Sequence, residues 1–259
     1  MKLAVLQAPA AAGDVAANLA TLDAAVADAQ ARRVDLLIAP ELFLTGYWNG
    51  EAIARLAEPA DGSTATELSA LASRHGVALL AGLPERAGAK LYNAAMLAKT
   101  DGTRCVYRKR NLYGAHEKAL FTPGDAPAPV VAIAGVNLGI LICYDVEFPE
   151  ETRALACAGA DLIAVPTALP DDGDAATIAH TLVPCRAFEN GCFVAYADLC
   201  GQENGRRFAG LSGIIGPDGQ PRARAGSESR DLLVAEIDPA ERRSSPYLRD
   251  LRTDYGRTE

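Results

Sequence analysis

Long hydrophobic runs are missing from this 259-residue sequence: no stretch approaches the ~18 consecutive apolar residues that a membrane-spanning helix needs. The opening, Met1-Lys2-Leu3-Ala4-Val5-Leu6-Gln7-Ala8-Pro9-Ala10, has one positive charge and an Ala-x-Ala. Its apolar stretch breaks at Gln7, short of the roughly 7–15 residues of a secretory h-region, so it reads as a buried first strand. A soluble, cytoplasmic protein is the expectation. A basic excess is missing too. Acidic residues number 33 against 25 basic ones, for a formal charge of −8, which argues against nucleic acid or an anionic membrane as partner. Histidine is scarce, at three and far from any zinc spacing, and the six cysteines (105, 143, 157, 185, 192, 200) form no Cys-x-x-Cys pair, so no zinc site is expected. A cytosolic chain keeps its thiols reduced, which turns the even cysteine count away from disulfides and makes most of these cysteines inert core thiols. No low-complexity linker and no 20–50-residue repeat divides the chain. One domain over 1–259 is expected, its charged last 20 residues, 240–259, forming a C-terminal arm.

What is present is a mixture of strand and helix signals. Apolar runs at 2–8, 35–40, 77–83, 161–166 and 192–198 have the length of buried strands. Runs at 92–98, 104–108, 130–134 and 136–143 are separated by turn signals such as Asp101-Gly102 and Ala134-Gly135, and 211–216 and 232–237 look strand-like. Helices are expected from a cap at Asp14 to Arg33, from a Thr64-x-x-Glu67 capping box to His75, over about 149–158 and near 175–190. Hairpins mixed with helix-linked strands define an α/β chain with helices outside packed sheets.

Three polar residues end otherwise apolar runs: Glu41 after Leu-Leu-Ile-Ala-Pro, Lys109 after Cys-Val-Tyr-Arg and Cys143 after Leu-Gly-Ile-Leu-Ile. Strand ends in α/β proteins are where ligand sites collect. The three make a complete set for amide cleavage: a thiol nucleophile, a carboxylate to carry its proton, and an ammonium to stabilise the oxyanion. Taken singly, each has a plainer reading, namely a solvated turn carboxylate, one member of the basic run Arg108-Lys109-Arg110, and a core cysteine.

The surrounding residues change that balance. Pro40-Glu41-Leu42-Phe43-Leu44-Thr45-Gly46-Tyr47 resembles the glutamate segment of the nitrilase superfamily of carbon-nitrogen hydrolases. Tyr107-Arg108-Lys109-Arg110-Asn111-Leu112-Tyr113-Gly114 resembles its lysine segment, followed by Glu117-Lys118-x-x-Phe121-x-Pro123-Gly124. Gly139-Ile140-Leu141-Ile142-Cys143-Tyr144-Asp145-Val146-Glu147-Phe148-Pro149-Glu150 resembles its cysteine segment, and matches continue through Pro166-Thr167, Arg186-Ala187-x-Glu189-Asn190-Gly191 and Gly210-x-Ser212. The resemblance covers nearly the whole chain, with its motifs in the family's order.

The resemblance implies a four-layer α-β-β-α sandwich and a Glu-Lys-Cys triad, with Glu41 as general base, Lys109 as oxyanion donor and Cys143 as nucleophile. Glu117 matches a second glutamate that positions Lys109, and the Tyr144 N–H completes the oxyanion hole. Tyr47, Tyr113, Tyr144, Glu147 and Thr167 are expected to line the substrate pocket. No metal or cofactor is implied, the partner is a small-molecule amide, and a two-fold homodimer or higher homo-oligomer is the family habit. The cysteine segment, Pro166-Thr167-Ala168-Leu169 and Tyr247-Leu248-Arg249-Asp250-Leu251-Arg252 look most like bacterial aliphatic and stereoselective amidases. Tyr144-Asp145 stands where nitrilases carry Trp-Glu, which weighs against nitriles. N-carbamoyl amine hydrolysis, ω-amidase activity and a non-catalytic relative remain alternatives.

Outside the family, a thiol hydrolase using His116 or His180 lacks a partner motif, and Gly210-Leu211-Ser212-Gly213-Ile214 lacks the last glycine of a serine nucleophile elbow. Glu147 and the acidic loop 170–174 would favour a cationic amide if they face the pocket, and Glu147 equally suits a helix-start carboxylate. A substrate carboxylate would want a pocket arginine, which the sequence does not locate, although Arg206 and Arg207 lie on an expected loop.

Overall fold

The computed structural model describes residues 1–248. In chain order it contains β1 (Lys2–Gln7), α1 (Val15–Ala31), β2 (Leu36–Ile38), α2 (Gly50–Leu56), α3 (Ser63–His75), β3 (Ala78–Ala87), β4 (Lys90–Ala98), β5 (Arg104–Arg108) and α4 (Gly114–Leu120). There follow β6 (Val130–Ile133), β7 (Val136–Ile140), a 3-10 turn over Cys143–Glu147, α5 (Pro149–Cys157) and β8 (Leu162–Thr167). A helical stretch comes next, made of α6 (Ala175–Thr177), a π-turn over Ile178–Leu182 and α7 (Val183–Asn190). The chain then runs through β9 (Phe193–Asp198), β10 (Gln202–Glu203), β11 (Arg206–Arg207), β12 (Gly213–Ile215), β13 (Pro221–Arg224) and β14 (Asp231–Glu236).

Two six-stranded sheets result, ordered β14-β1-β2-β3-β4-β5 and β13-β12-β9-β8-β7-β6. Each has a parallel centre, β1-β2-β3 or β7-β8-β9, with antiparallel strands on both sides. Strand alternation builds the layers, because successive side chains point to opposite faces. In β1, Leu3 and Val5 meet Leu138, Ile140, Leu162 and Ala195 between the sheets. Ala4 and Leu6 turn outward onto Leu22, Val26 and Ala29 of α1 and Leu68 and Leu71 of α3. On the far side, Ile163, Val165 and Val194 pack under Leu155 of α5 and Val183 and Ala187 of α7. This is the four-layer α-β-β-α sandwich that the sequence implied.

Local chemistry explains where the elements depart from expectation. Asp14 caps α1 by accepting from the Ala17 N–H at 3.0 Å. The Thr64 capping box does not form. Gly62 is the N-cap of α3, and Glu58 instead accepts from Ser63 Oγ at 2.6 Å and Thr64 N at 2.7 Å. The run 136–143 leaves the sheet after Ile140, because the chain must turn at Cys143, which sits in the left-handed region (φ 45°). Arg206 and Arg207 lie on a short strand pairing with Gln202–Glu203 rather than on an open loop. The cysteines are not uniformly core: Cys143, Cys192 and Cys200 are buried, Cys105 and Cys157 half-buried and Cys185 exposed. Of the expected C-terminal arm, 249–259 lies outside the described residues.

Candidate active site

The C-terminal ends of β2, β5, β7, β8 and β9 converge on one spot, and the chain leaves two of these strands through strained backbone. Leu42, directly after Glu41, has φ 47° and Cys143 has φ 45°, a conformation uncommon for any residue but glycine and frequent at functional sites. Gly82 of β3 makes the first turn possible. A Cβ there would lie 2.3 Å from Leu42 N and 2.6 Å from Glu41 Cα, so only glycine lets the two backbones approach.

Lys109 leaves β5 with its N–H donating to Asn93 O of β4 at 2.8 Å, and its side chain points inward. The flanking arginines turn outward: Arg108 pairs with Glu85 and Arg110 with Glu151. Lys109 Nζ donates to Glu41 Oε1 and to Glu117 Oε1, both at 2.7 Å, and all three side chains are 0% exposed. Glu117, on α4, also accepts from Tyr47 Oη at 2.6 Å and from Tyr113 N at 2.9 Å. Asn93 Nδ2 donates to Glu41 Oε1 at 2.7 Å, whereas Glu41 Oε2 has no partner among the described residues.

Burial raises the Glu41 carboxyl to about 7; Lys109 opposes that shift and Glu117 adds to it. For Lys109, burial works against the ammonium, but Glu41 and Glu117 overcome it and hold the group charged, above its usual range. The buried Cys143 thiol is pushed well above its ordinary value by desolvation and then by Glu41. Lys109 and an N–H of Ala168 favour the thiolate in opposition. Such a thiol rests protonated and needs a base to act as a nucleophile.

The turn after Cys143 is held by Asp145, a residue the sequence reading did not single out. Its carboxylate accepts from Tyr107 Oη (3.0 Å), Asn111 N (2.9 Å), Asn111 Nδ2 (2.9 Å) and Ile142 N (3.1 Å). Arg186 donates to the carbonyls of Val146 (2.9 Å) and Glu147 (2.7 Å), fixing the end of the same turn. Glu203 accepts from Tyr47 N (2.8 Å) and Trp48 N (3.1 Å), holding the glutamate loop.

The expected pocket residues gather here with different postures. Tyr47 is buried and uses its hydroxyl on Glu117. Tyr113 and Tyr144 are half-buried and meet edge to face at 5.3 Å. Glu147 is half-buried, and desolvation raises it to about 7, with Lys109 and Arg186 opposing and Asp172 adding. Thr167 is buried with its hydroxyl donating to Val165 O at 3.0 Å; its carbonyl accepts the Glu41 N–H at 3.2 Å. In the acidic loop, Asp171 pairs with Arg207 at 3.2 Å, while the charge of Asp172 reaches Tyr113 and Glu147. Outside Tyr113 and Tyr144 opens a groove of about 780 Å³, also lined by Trp48, His116, Lys118 and Arg206, whose guanidinium stacks 4.2 Å over the Trp48 ring.

The histidine and serine alternatives fall away. His116 Nε2 bonds Tyr47 O at 3.1 Å, and His180 is exposed on the π-turn. Ser212 is buried, its Oγ accepting from Asp198 N at 2.9 Å. No group of three or more histidine, cysteine or acidic residues able to hold a metal occurs among the described residues. No helix among them is long and apolar enough to cross a membrane.

Fold and site together define a cysteine hydrolase with a buried carboxylate-ammonium cluster, and the chain belongs to the carbon-nitrogen hydrolase family, whose profile matches residues 2–247. Within it, the chain groups with amidases of the nitrilase superfamily. It is 42% identical to a hydrolase in the pqqF 5′ region of Pseudomonas protegens, covering 98% of this chain and 90% of that one. It is 35% identical to an (R)-stereoselective amidase of a Pseudomonas species, over 97% and 92% of the two chains. A variant of the amidase from Nesterenkonia sp. AN1 superposes with a TM-score of 0.89 at 38% identity, over 99% of this chain and 95% of that one. That variant carries the acetamide moiety of fluoroacetamide on its active-site cysteine.

Proposed function

We propose that the protein is an amidase that hydrolyses small carboxamides to a carboxylic acid and ammonia through a thioester on Cys143. The observation that carries this reading is the fully buried Lys109 ammonium clamped between Glu41 and Glu117, with the second Glu41 oxygen left unpartnered among the described residues. Cys143 Sγ attacks the amide carbon while Glu41 accepts the thiol proton. The oxyanion is stabilised by Lys109 Nζ and the Tyr144 N–H. Glu41 returns the proton to the departing nitrogen, and ammonia leaves behind the acyl-thioester. Glu41 then takes a proton from water, whose oxygen attacks the thioester carbon; the C–S bond breaks, Glu41 returns that proton to the departing sulfur, and the free Cys143 thiol and the carboxylic acid result. Glu117, held by Tyr47 and the Tyr113 N–H, keeps Lys109 in place. Protein side chains and backbone carry every step of this scheme.

Tyr113, Tyr144 and Glu147 shape the acyl pocket. The charges of Glu147 and Asp172 favour neutral or amine-bearing tails, whereas Lys118 and Arg206 in the outer groove support a second reading, an amide with a distal carboxylate. Ammonia release is measured from carboxamides with amine, neutral and carboxylate tails, from nitriles and from N-carbamoyl amines, between pH 5 and 9. Carboxamides with neutral or amine tails are expected to turn over fastest. Glu41 must be deprotonated to accept the thiol proton, so kcat/KM is expected to fall about tenfold per unit as pH drops below about 7. Turnover of nitriles or N-carbamoyl amines alone would move the substrate class, and a rate that rises toward pH 5 would remove Glu41 as base.

We also infer a homodimer that covers the exposed Phe188 of α7 and Tyr247, which stack 6.1 Å apart. A single species of monomer mass in sedimentation at micromolar concentration would refute it. A thiol nucleophile fits a reducing, cytoplasmic setting.

A further inference from the structure

Asp198 is the last residue of β9, fully buried, and absent from the chemistry above. Its Oδ1 accepts from Leu169 N at 2.8 Å, while Oδ2 has no partner among the described residues. A buried carboxyl half satisfied in this way is costly to keep, and its position shows what it holds. The segment Thr167–Leu169 runs between Asp198 and the reacting groups. The Ala168 N–H lies close enough to the Cys143 thiol to favour its thiolate, and Thr167 O accepts from both Glu41 N and Leu199 N at 3.2 Å. Leu169 O accepts from Ala209 N at 2.9 Å. Asp198 is itself fixed from behind: its N–H donates to Ser212 Oγ, Ser212 N donates to Gln7 Oε1 at 3.0 Å, and Gln7 Nε2 donates to the carbonyls of Gly226 and Ser229. A continuous run of buried hydrogen bonds thus leads from β1 of one sheet, through β9 of the other, to the segment beside the thiol.

We propose that Asp198 is a positioning residue for Cys143, its carboxyl holding Thr167–Leu169 so that the Ala168 N–H stays beside the thiol and the Thr167 carbonyl stays on the Glu41 backbone. The inference rests on the reading of Cys143 as nucleophile. Desolvation lifts Asp198 well above the usual carboxylate range, which favours a neutral hydrogen-bonding group over a second charge beside Glu41. The ionisable groups facing the thiol are Glu41 after β2, Tyr47, Lys109 after β5, Tyr113, Glu117 of α4 and Tyr196 of β9, whereas the Leu169 N–H is bonded by Asp198.

The test compares Asp198→Leu, which fills the space without an acceptor, with Asp198→Asn, which keeps a neutral side-chain carbonyl. Two readouts are taken on folded protein: the pH profile of Cys143 alkylation by iodoacetamide, and kcat and KM for an amide. In Asp198→Leu the alkylation midpoint is expected to move up by about one pH unit. Its kcat should fall about 10- to 100-fold with KM little changed, as misplacement of a reacting group does. Asp198→Asn should restore both. If the leucine variant does not fold, Asp198→Ser, too short to reach Leu169 N, is read in the same way. A folded leucine or serine variant with the unaltered alkylation profile, or an asparagine variant as impaired as leucine, overturns the proposal. Alkylation needs no amide, so a failure of the substrate assignment is distinguishable from a failure of this one.

Discussion

Replacing Cys143 with alanine is expected to abolish ammonia release, by on the order of 10⁶-fold, since removing the proposed nucleophile leaves only binding and oxyanion stabilisation. The fold should survive. Cys143 is buried, but alanine deletes one sulfur atom, and the left-handed φ of 45° asks no more of alanine than of cysteine. The turn keeps its other supports, the four hydrogen bonds to Asp145 and the two from Arg186. Melting temperature and ammonia release measured on the same preparation separate loss of chemistry from loss of structure. Alanine protein that is folded and still active would mean that another group performs the attack.

Lys109→Met should damage both activity and stability. The substitution retains most of the aliphatic stem but removes the ammonium, leaving Glu41 and Glu117 buried together without a counter-charge. Breaking a buried pair by removing one partner typically costs about 3–5 kcal/mol. The two carboxyls would respond by taking up protons, which disables Glu41 as a base. Loss of the oxyanion donor alone lowers rates by about 10²–10³-fold. Denaturant midpoints and kcat/KM check the expectation. Adding Glu117→Gln to Lys109→Met should recover part of the stability and none of the activity, because it removes one stranded carboxylate but restores no donor. A methionine variant as stable as the parent would contradict the reading of Lys109 as the centre of a charged cluster.

Much of the architecture was legible in the sequence because buried strands need continuous apolar runs and helices need spaced ones. The run Leu3-Ala4-Val5-Leu6 has residues fit for both faces of a sheet buried on both sides, and β1 is such a strand. Glu41, Lys109 and Cys143 stood out because each interrupts such a run at a strand end, and the cluster holds two of them in direct contact. The short helices α2 and α4 were not among the expected elements. Each is seven residues long, too short for a periodic stripe, although Asn49 does cap α2 through Ala52 N at 3.4 Å. The Thr64 capping signal failed because Glu58, outside the helix, competes for the same donors. The supporting residues were invisible for a different reason. Asn93, 52 positions from Glu41, Glu203, 156 from Tyr47, and Asp198, 29 from Leu169, are defined by partners that only the tertiary fold brings near. The positive φ at Cys143 left no mark either, since no glycine announces it.

The most direct test of the thioester account is the intact mass of the protein mixed with a small carboxamide and quenched in acid within the first turnovers. The account predicts a mass increase equal to the acyl group less one hydrogen, located on the peptide carrying Cys143 and absent from Cys143→Ala. Ammonia release without any acyl adduct, or an adduct on another residue, would contradict it.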